Sequence, residues 1–287
     1  MGMTIKNTSK IIVGDALEQL KKLKDNSVDL CITSPPYWNL RDYGVEGQIG
    51  LEVDVKLYIK KLVDVFREVK RVLKDTGTLW VNIGDSYAGS RKGPAGNLSK
   101  KNNQQHLGEL KTGIIPEGMK YKDLVGVPWA LAFALRDDGW YLRQDVIWAK
   151  PNPMPESVKD RTTKSHEYVF LLSKKPTYYF DHEAIKEPAI KFLGTPKEKP
   201  KAKRSKRDVW IINIQPYREA HFATMPEALV EPCVLAGSKE GDVVLDPFCG
   251  SGTVGVVALR NKRNFIGIEL NPEYADIANK RIKDSLK

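Results

Sequence analysis

A chain of 287 residues, 41% of them hydrophobic, is long enough for one large α/β domain or two small ones built on a real core. It has no apolar run of the ~18 residues a membrane span needs, no signal-peptide-like opening, and three irregularly spaced cysteines that fit neither a disulfide framework nor a zinc site; these features point to a reducing, intracellular setting. The net charge of +10 is local, since Lys191–Arg207 carries eight basic residues against Glu198 and Arg91–Lys122 seven against Glu109 and Glu117, leaving the remainder slightly acidic.

Ile11-Ile12-Val13 reads as a short strand ending at Gly14-Asp15, followed by a helix with Leu17, Leu20 and Leu23 on one face. Val28–Thr33 is a second strand, closed by Pro35-Pro36, which cannot continue a ladder. Tyr58–Leu73 has apolar residues at helical spacing, Gly77 breaks the pattern, and Thr78–Ile83 is a third strand ending at Gly84-Asp85. The first basic segment follows, then a helix over Val127–Arg136 and strands at Tyr141–Trp148 and His166–Ser173. After the second basic segment come a strand over Val209–Ile214, a helix over Pro226–Ala236, a buried strand Asp242–Leu245, a helix Gly252–Asn261, a strand Asn264–Glu269 and a last helix Tyr274–Lys283. Strands alternating with helices, in apolar β-branched runs, predict an α/β fold with a mostly parallel sheet. The two basic segments lack apolar periodicity and are rich in Gly, Pro, Asn and Lys, so they read as loops. As insertions over residues 86–122 and 181–208, they are candidate phosphate-contacting elements.

Asp246-Pro247-Phe248-Cys249-Gly250-Ser251-Gly252-Thr253 forms a glycine-rich turn between a strand and a helix N-terminus. Glycine there lets a ligand approach the backbone. Glu269, 17 residues past Gly252 at the end of the next strand, stands where an acid accepts hydrogen bonds from ribose hydroxyls. A dinucleotide site would need a third glycine and would place phosphates at the turn, where Asp246 repels them. An ammonium group is welcome beside the same acid. A cofactor with a ribose and a positively charged amino-acid tail, S-adenosyl-L-methionine, fits both demands.

Ser34-Pro35-Pro36-Tyr37 follows the second strand and so lies at a strand's carboxyl end, the edge that carries active sites in open α/β sheets. The prolines stiffen the loop. Ser34 and the Pro35 carbonyl can accept two hydrogen bonds from an exocyclic NH2 and turn its lone pair toward a methyl donor, and Tyr37 offers a flat face to a base flipped from a duplex. Aligning donor and acceptor supplies much of the rate of such a transfer, and no covalent nucleophile is needed.

These stretches, with Gly14-Asp15, Asn82-Ile83-Gly84-Asp85, Trp148-Ala149-Lys150-Pro151-Asn152, His166-Glu167 and His221-Phe222-Ala223-Thr224-Met225-Pro226-Glu227, occur in the order found in the DNA amino-methyltransferases that modify cytosine N4 or adenine N6. The whole chain resembles that family, in particular its permuted β group, in which the catalytic loop precedes the cofactor motif. The resemblance implies one methyltransferase domain over residues 1–287, with a Rossmann-like, circularly permuted sheet and basic DNA-recognition insertions. It implies that Asp15 binds the adenine end of the cofactor and Glu269 the ribose. Asp246, Phe248, Gly250, Gly252 and Thr253 would line the methionine side, with Phe248 over the sulfonium. The segment with His221, Phe222 and Thr224 would close over the methionine carboxylate. Ser34, Pro35, Pro36 and Tyr37 would form the target-base site, and Asp85 would handle a ring-nitrogen proton. Serine at the clamp favours cytosine N4 over adenine N6.

The implied partners are double-stranded DNA and, for the modification half of a restriction system, a cognate restriction endonuclease; the chain itself would be a monomer or a homodimer. Phosphate contacts from the two basic segments would position the duplex, with Arg161, Arg204 and Arg207 as candidates for guanine. Methylation of an RNA or protein amine, or binding without catalysis, is the competing reading. Trp38 is a candidate substrate contact. Pro232-Cys233 resembles the Pro-Cys nucleophile of cytosine C5-methyltransferases but falls in a predicted helix before the cofactor strand, so it reads as structural, as do Cys31, Cys249, His166 and His221.

Overall fold

The computed structural model describes residues 7–89, 113–189, 203–215 and 224–286. Along the chain run β1 (Ser9–Val13), α1 (Ala16–Leu20), β2 (Val28–Thr33), α2 (Val55–Val72), β3 (Leu73–Ile83), α3 (Val127–Asp137), β4 (Tyr141–Ala149), β5 (His166–Ser173), β6 (Glu187–Pro188), β7 (Lys203–Arg204), β8 (Val209–Ile211), α4 (Glu227–Gly237), β9 (Val243–Asp246), α5 (Thr253–Arg260), β10 (Asn264–Glu269) and α6 (Pro272–Ser285).

Eight strands form one sheet in the order β1-β10-β9-β2-β3-β5-β4-β8. All pairings are parallel except those of β5, which runs against both β3 and β4. The last two strands of the chain, β9 and β10, fill the gap between the first two, β1 and β2. This is the permutation expected from the order of the motifs. It sets the carboxyl ends of β9 and β2 side by side, at the switch point where α/β sheets bind ligands.

Side chains alternate across the strands and feed two cores. Val28 and Cys31 of β2, Leu79 and Val81 of β3, and Phe170 and Leu172 of β5 pack with α1, α2 and α3. Leu30 and Ile32, Trp80, and Val169 and Leu171 face α4, α5 and α6 on the other side. The α2 stripe of Tyr58, Leu62, Phe66 and Val69 is wholly buried, as its 3.6-residue periodicity requires. Asp54 caps its start by accepting from the Lys56 N–H at 2.8 Å.

Three expectations shift. Strand β3 begins at Leu73, directly after α2, because Val28 pairs with Leu73 and Leu30 with Thr78, and residues 74–77 bulge between those pairs. Strand β8 stops at Ile211. Its partner β4 ends at Ala149, and beyond it Ile214 bonds instead to the side chain of Asn152. The ends of the second basic segment are not plain loop: β6 and β7 pair antiparallel, joined by an Arg204–Glu187 ion pair at 2.8 Å. The lysine-rich stretches 90–112 and 190–202 lie outside the described residues. Among the described residues, no helix is long and apolar enough to cross a membrane.

Candidate active site

A cavity of about 280 Å³ opens at the carboxyl ends of β9 and β2. Its walls bring together the two loops singled out in the sequence. Ser34, Pro35, Pro36 and Tyr37 line one side, and Asp246, Phe248, Gly250 and Thr253 the other. Asp15, Thr224 and Glu269 also line it. His221 and Phe222 lie outside the described residues.

The cofactor side is built from one buried acid, Asp246, and two half-buried ones, Glu269 and Asp15. Asp246 ends β9 and is 2% exposed. Its Oδ1 accepts from the Thr33 hydroxyl at 2.7 Å and from the Phe248 N–H at 3.0 Å. Burial outweighs these bonds and pushes its carboxyl from the ordinary 3.8 up to about 7. Glu269 ends β10; its two oxygens accept from the N–H groups of Gly250 at 2.7 Å and Asn271 at 2.9 Å. Burial raises its pKa as well, against the pull of those backbone bonds. Asp15 ends the β1 turn and caps α1 by accepting from the Glu18 N–H at 3.0 Å. Arg281 of α6 reaches into the turn, donating to the hydroxyls of Ser251 and Thr253 at 3.1 and 2.9 Å and pairing with Glu227 at 3.0 Å.

The clamp side is braced from beneath. Tyr58 donates to the Pro36 carbonyl at 2.9 Å. Ser34 Oγ donates to the Tyr37 hydroxyl at 3.5 Å, and Tyr37 donates to Glu167 Oε2 at 2.6 Å. The same oxygen accepts from Asn82 Nδ2 at 3.0 Å, while Lys150 ion-pairs with the other. The Lys150 ammonium rests 4.3 Å from the centroid of the Trp148 ring. Burial, with the Glu167 carboxylate beside it, drives the Tyr37 phenol well above its ordinary range and keeps it a donor. The backbone at Gly84 lies against the tyrosine ring: a Cβ there would sit 2.8 Å from Tyr37 Cε2.

Two predicted site residues are not among those that line the cavity. Asp85 is not part of the lining. Its carboxylate accepts from the N–H groups of Ser86, Gly126 and Val127 at 2.9 to 3.0 Å and so caps α3, an arrangement the helix dipole favours. Gly252 does not line the cavity either. It has φ +79°, and a Cβ there would meet the Ala278 Cβ at 2.9 Å, so a glycine is needed for the close packing of the turn on α6. Trp38 is buried, with its indole N–H donating to the Glu52 carbonyl at 2.9 Å, and is core rather than substrate contact. Cys233 is a buried thiol that burial pushes far up, which leaves it no nucleophilic role. Asn82, Lys150 and Glu167 are cavity residues to which sequence reasoning assigned no role. The signal for them was their place in stretches shared with the family.

An amine clamp and an acid-lined cofactor turn, facing each other across the switch point of a permuted α/β sheet, define a methyltransferase for exocyclic amines. Compared with known proteins, residues 28–280 match the profile of the N6/N4 DNA methylase family, and the chain belongs to that family; it is a site-specific DNA methyltransferase of the N4/N6 class. Among its relatives are the type II methyltransferases M.SmaI of Serratia marcescens and M.Cfr9I of Citrobacter freundii. The first is 54% identical over 275 residues, covering 95% of this chain and 90% of the relative. The second is 51% identical over 278 residues, covering 96% and 88%. Solved structures share the fold: PvuII DNA methyltransferase, described as cytosine-N4-specific, at 20% identity with a TM-score of 0.68 over 98% of this chain and 91% of that one, and the M1.HpyAVI–SAM complex at 22% identity with a TM-score of 0.59 over 96% and 99%.

The methyl donor of a DNA methylase is S-adenosyl-L-methionine, and the donor set fits it. Two carboxylates raised by desolvation, the buried Asp246 and the half-buried Glu269, gain from an arriving cation, and the Glu269 carboxylate has lone pairs beyond those used by its two backbone donors to accept from ribose hydroxyls.

Proposed function

We propose that this chain methylates N4 of cytosine in duplex DNA, as the modification half of a restriction pair. The observation that carries the reading is the place of Ser34 in the cavity wall, across from the cofactor turn. Its Oγ has only a long, 3.5 Å contact to the Tyr37 hydroxyl, so its lone pairs remain to accept from an NH2 entering the cavity. With the Pro35 carbonyl as second acceptor, both amine protons are held and the nitrogen lone pair faces the methyl donor. Desolvation and alignment then supply the rate. Ser34 is a neutral acceptor, which favours cytosine. The fold shared with a cytosine-N4-specific enzyme supports that choice, and the type II names of the relatives support the restriction pairing.

In this reading Asp15 takes the adenine end of the cofactor, Glu269 the ribose and Asp246 the ammonium. Phe248 covers the sulfonium, with Gly250 and Thr253 beside it. His221, Phe222 and Thr224 close over the carboxylate. The basic segments 86–122 and 181–208 hold the DNA backbone, and Arg207 reads a guanine. Arg161, bonded to Glu156 at 2.6 Å and stacked 3.9 Å from the Tyr87 ring centroid, and Arg204, bonded to Glu187, must exchange carboxylate for base to do the same.

The test is transfer of labelled methyl to duplex DNA followed by mass analysis of the digested nucleosides. N4-methylcytosine is the expected product, and N6-methyladenine would overturn the choice of base. Ser34→Ala should lose transfer while keeping cofactor binding, and unchanged transfer would remove the clamp from the mechanism.

A further inference from the structure

Beneath the clamp lies a line of polar groups that positioning a base does not require. Ser34 Oγ donates to Tyr37 Oη at 3.5 Å, and Tyr37 Oη donates to Glu167 Oε2 at 2.6 Å. Asn82 Oδ1 lies 3.3 Å from the same Tyr37 hydroxyl, so of its two acceptors the carboxylate is the nearer. Glu167 comes from β5, 130 residues further along the chain, and three groups fix its position. Asn82 Nδ2 donates to Oε2 at 3.0 Å and to the Tyr168 carbonyl at 3.1 Å, so the amide orientation is set. Lys150 pairs with Oε1, and both side chains are under one-fifth exposed. A buried phenol in a stacking ring needs one acceptor, which Asn82 Oδ1 at 3.3 Å already offers; a carboxylate held at 2.6 Å by further partners goes beyond that need.

We propose that Ser34, Tyr37 and Glu167 form a proton relay that carries the surplus proton of the methylated amine out of the cavity, with Glu167 as its terminal acceptor. The proposal rests on the amine-clamp reading above. As the nitrogen lone pair forms the N–C bond, the C–S bond breaks with its electron pair passing to sulfur, and the nitrogen is left with one proton too many. That proton passes to Ser34 Oγ while the serine proton passes to Tyr37 Oη and the phenol proton to Glu167 Oε2. Both hydroxyls end neutral and the carboxylate ends as a carboxylic acid.

The charges agree with this path. The sulfonium loses one positive charge in the transfer, and the Lys150–Glu167 pair gains one when its carboxylate is neutralised, so the cavity's net charge is unchanged. The Lys150 ammonium left behind keeps its place near the Trp148 ring. Asp246, the acid on the other wall, is engaged by Thr33 and Phe248. Glu167 receives the proton through two hydroxyls, so its role in the relay is positioning and proton acceptance.

The test compares Tyr37→Phe, which keeps the ring and removes the relay hydroxyl, with Glu167→Gln, which keeps the shape and removes the charge. Single-turnover methyl transfer is measured in H2O and D2O. Cofactor affinity and the fluorescence of 2-aminopurine at the target position, which reports base extrusion, are measured in parallel. The expected result is a solvent isotope effect in the wild type that disappears in both variants, a rate loss of ~100-fold, and unchanged cofactor affinity and base extrusion. A wild-type rate in Tyr37→Phe overturns the relay and leaves the ring as a stacking surface. Absence of a solvent isotope effect in the wild type, or its persistence in a slowed variant, overturns it as well. If Glu167→Gln fails to fold, Tyr37→Phe alone decides. A wild-type enzyme that transfers no methyl to DNA would instead refute the underlying function, a result distinct from any of these.

Discussion

The Thr33 hydroxyl donates to the buried carboxylate of Asp246 at 2.7 Å, tying the strand that carries the clamp to the strand that carries the cofactor turn. The two residues are 213 positions apart in the chain and adjacent in the sheet, because β9 is inserted beside β2. The bond sets the spacing of the two loops and supplies one of the donors that hold Asp246. Thr33→Val keeps the shape and removes the donor. It should destabilise the fold by about 1–3 kcal/mol, the cost of leaving a buried acceptor short of a partner. It should also raise the Asp246 pKa further and so weaken cofactor binding at neutral pH. Urea unfolding and calorimetric titration check the two effects; a full-strength cofactor affinity in this variant would show that Asp246 does not meet the cationic end.

The Asp246 carboxyl, pushed to about 7 by burial, predicts a pH signature. The folded value lies above the unfolded value, so the folded protein holds the proton more tightly. That stabilisation is complete below about pH 4 and is lost as pH rises through 7. Binding of a cationic cofactor reverses the preference, since it favours the carboxylate. Below pH 7 the cofactor should therefore displace a proton, and its affinity should climb as pH rises toward 7. Calorimetry in buffers of different ionisation enthalpy counts that proton. Asp246→Asn should abolish both the proton release and the slope, and a slope that survives the substitution would assign it to another group.

Much of this arrangement is legible in the sequence, and what is not has specific physical causes. The ends of β2 and β9 are legible because apolar runs meet residues that cannot continue a ladder, proline in one case and a glycine turn in the other. Glu269 is legible because the distance from the glycine turn through α5 to the end of β10 is set by local geometry. Glu167 is not, because its meeting with Tyr37 depends on β5 running antiparallel beside β3, where Asn82 pairs with Val169. That register is a property of the assembled sheet. The cap that Asp85 gives α3 is hidden for a related reason. It stands at a strand end, and the N–H groups it accepts from lie 41 and 42 residues further on, brought to it only by the assembled fold.

Gly250 and Gly252 look alike in sequence and differ in the structure, which gives a stability prediction. Both have positive φ, +51° and +79°. A Cβ on Gly250 would meet nothing nearer than 4.0 Å, whereas one on Gly252 would collide with Ala278. Gly250→Ala should therefore cost only the backbone term, about 1–2 kcal/mol. Gly252→Ala should add about 1–3 kcal/mol of overpacking to that. Denaturant midpoints of the two variants measure the difference, and equal losses would mean that α6 yields to the added methyl group.

Gly84 separates clamp geometry from cofactor binding. A Cβ at this position would lie 2.8 Å from Tyr37 Cε2 and 3.3 Å from Glu167 Cγ, so Gly84→Ala must displace the ring, the acid or both. The contacts of Asp246 and Glu269 lie on the far wall and involve neither residue. Methyl transfer depends on alignment at the scale of an ångström, and a displacement of that size costs on the order of 10²-fold in rate. Gly84→Ala should therefore lower kcat by that order while the cofactor Kd stays within about twofold, a change of less than ~0.5 kcal/mol. Single-turnover kinetics and equilibrium cofactor binding on the same preparation provide the comparison. Parallel loss of both would place Gly84 in the general stability of the sheet rather than in the setting of the clamp.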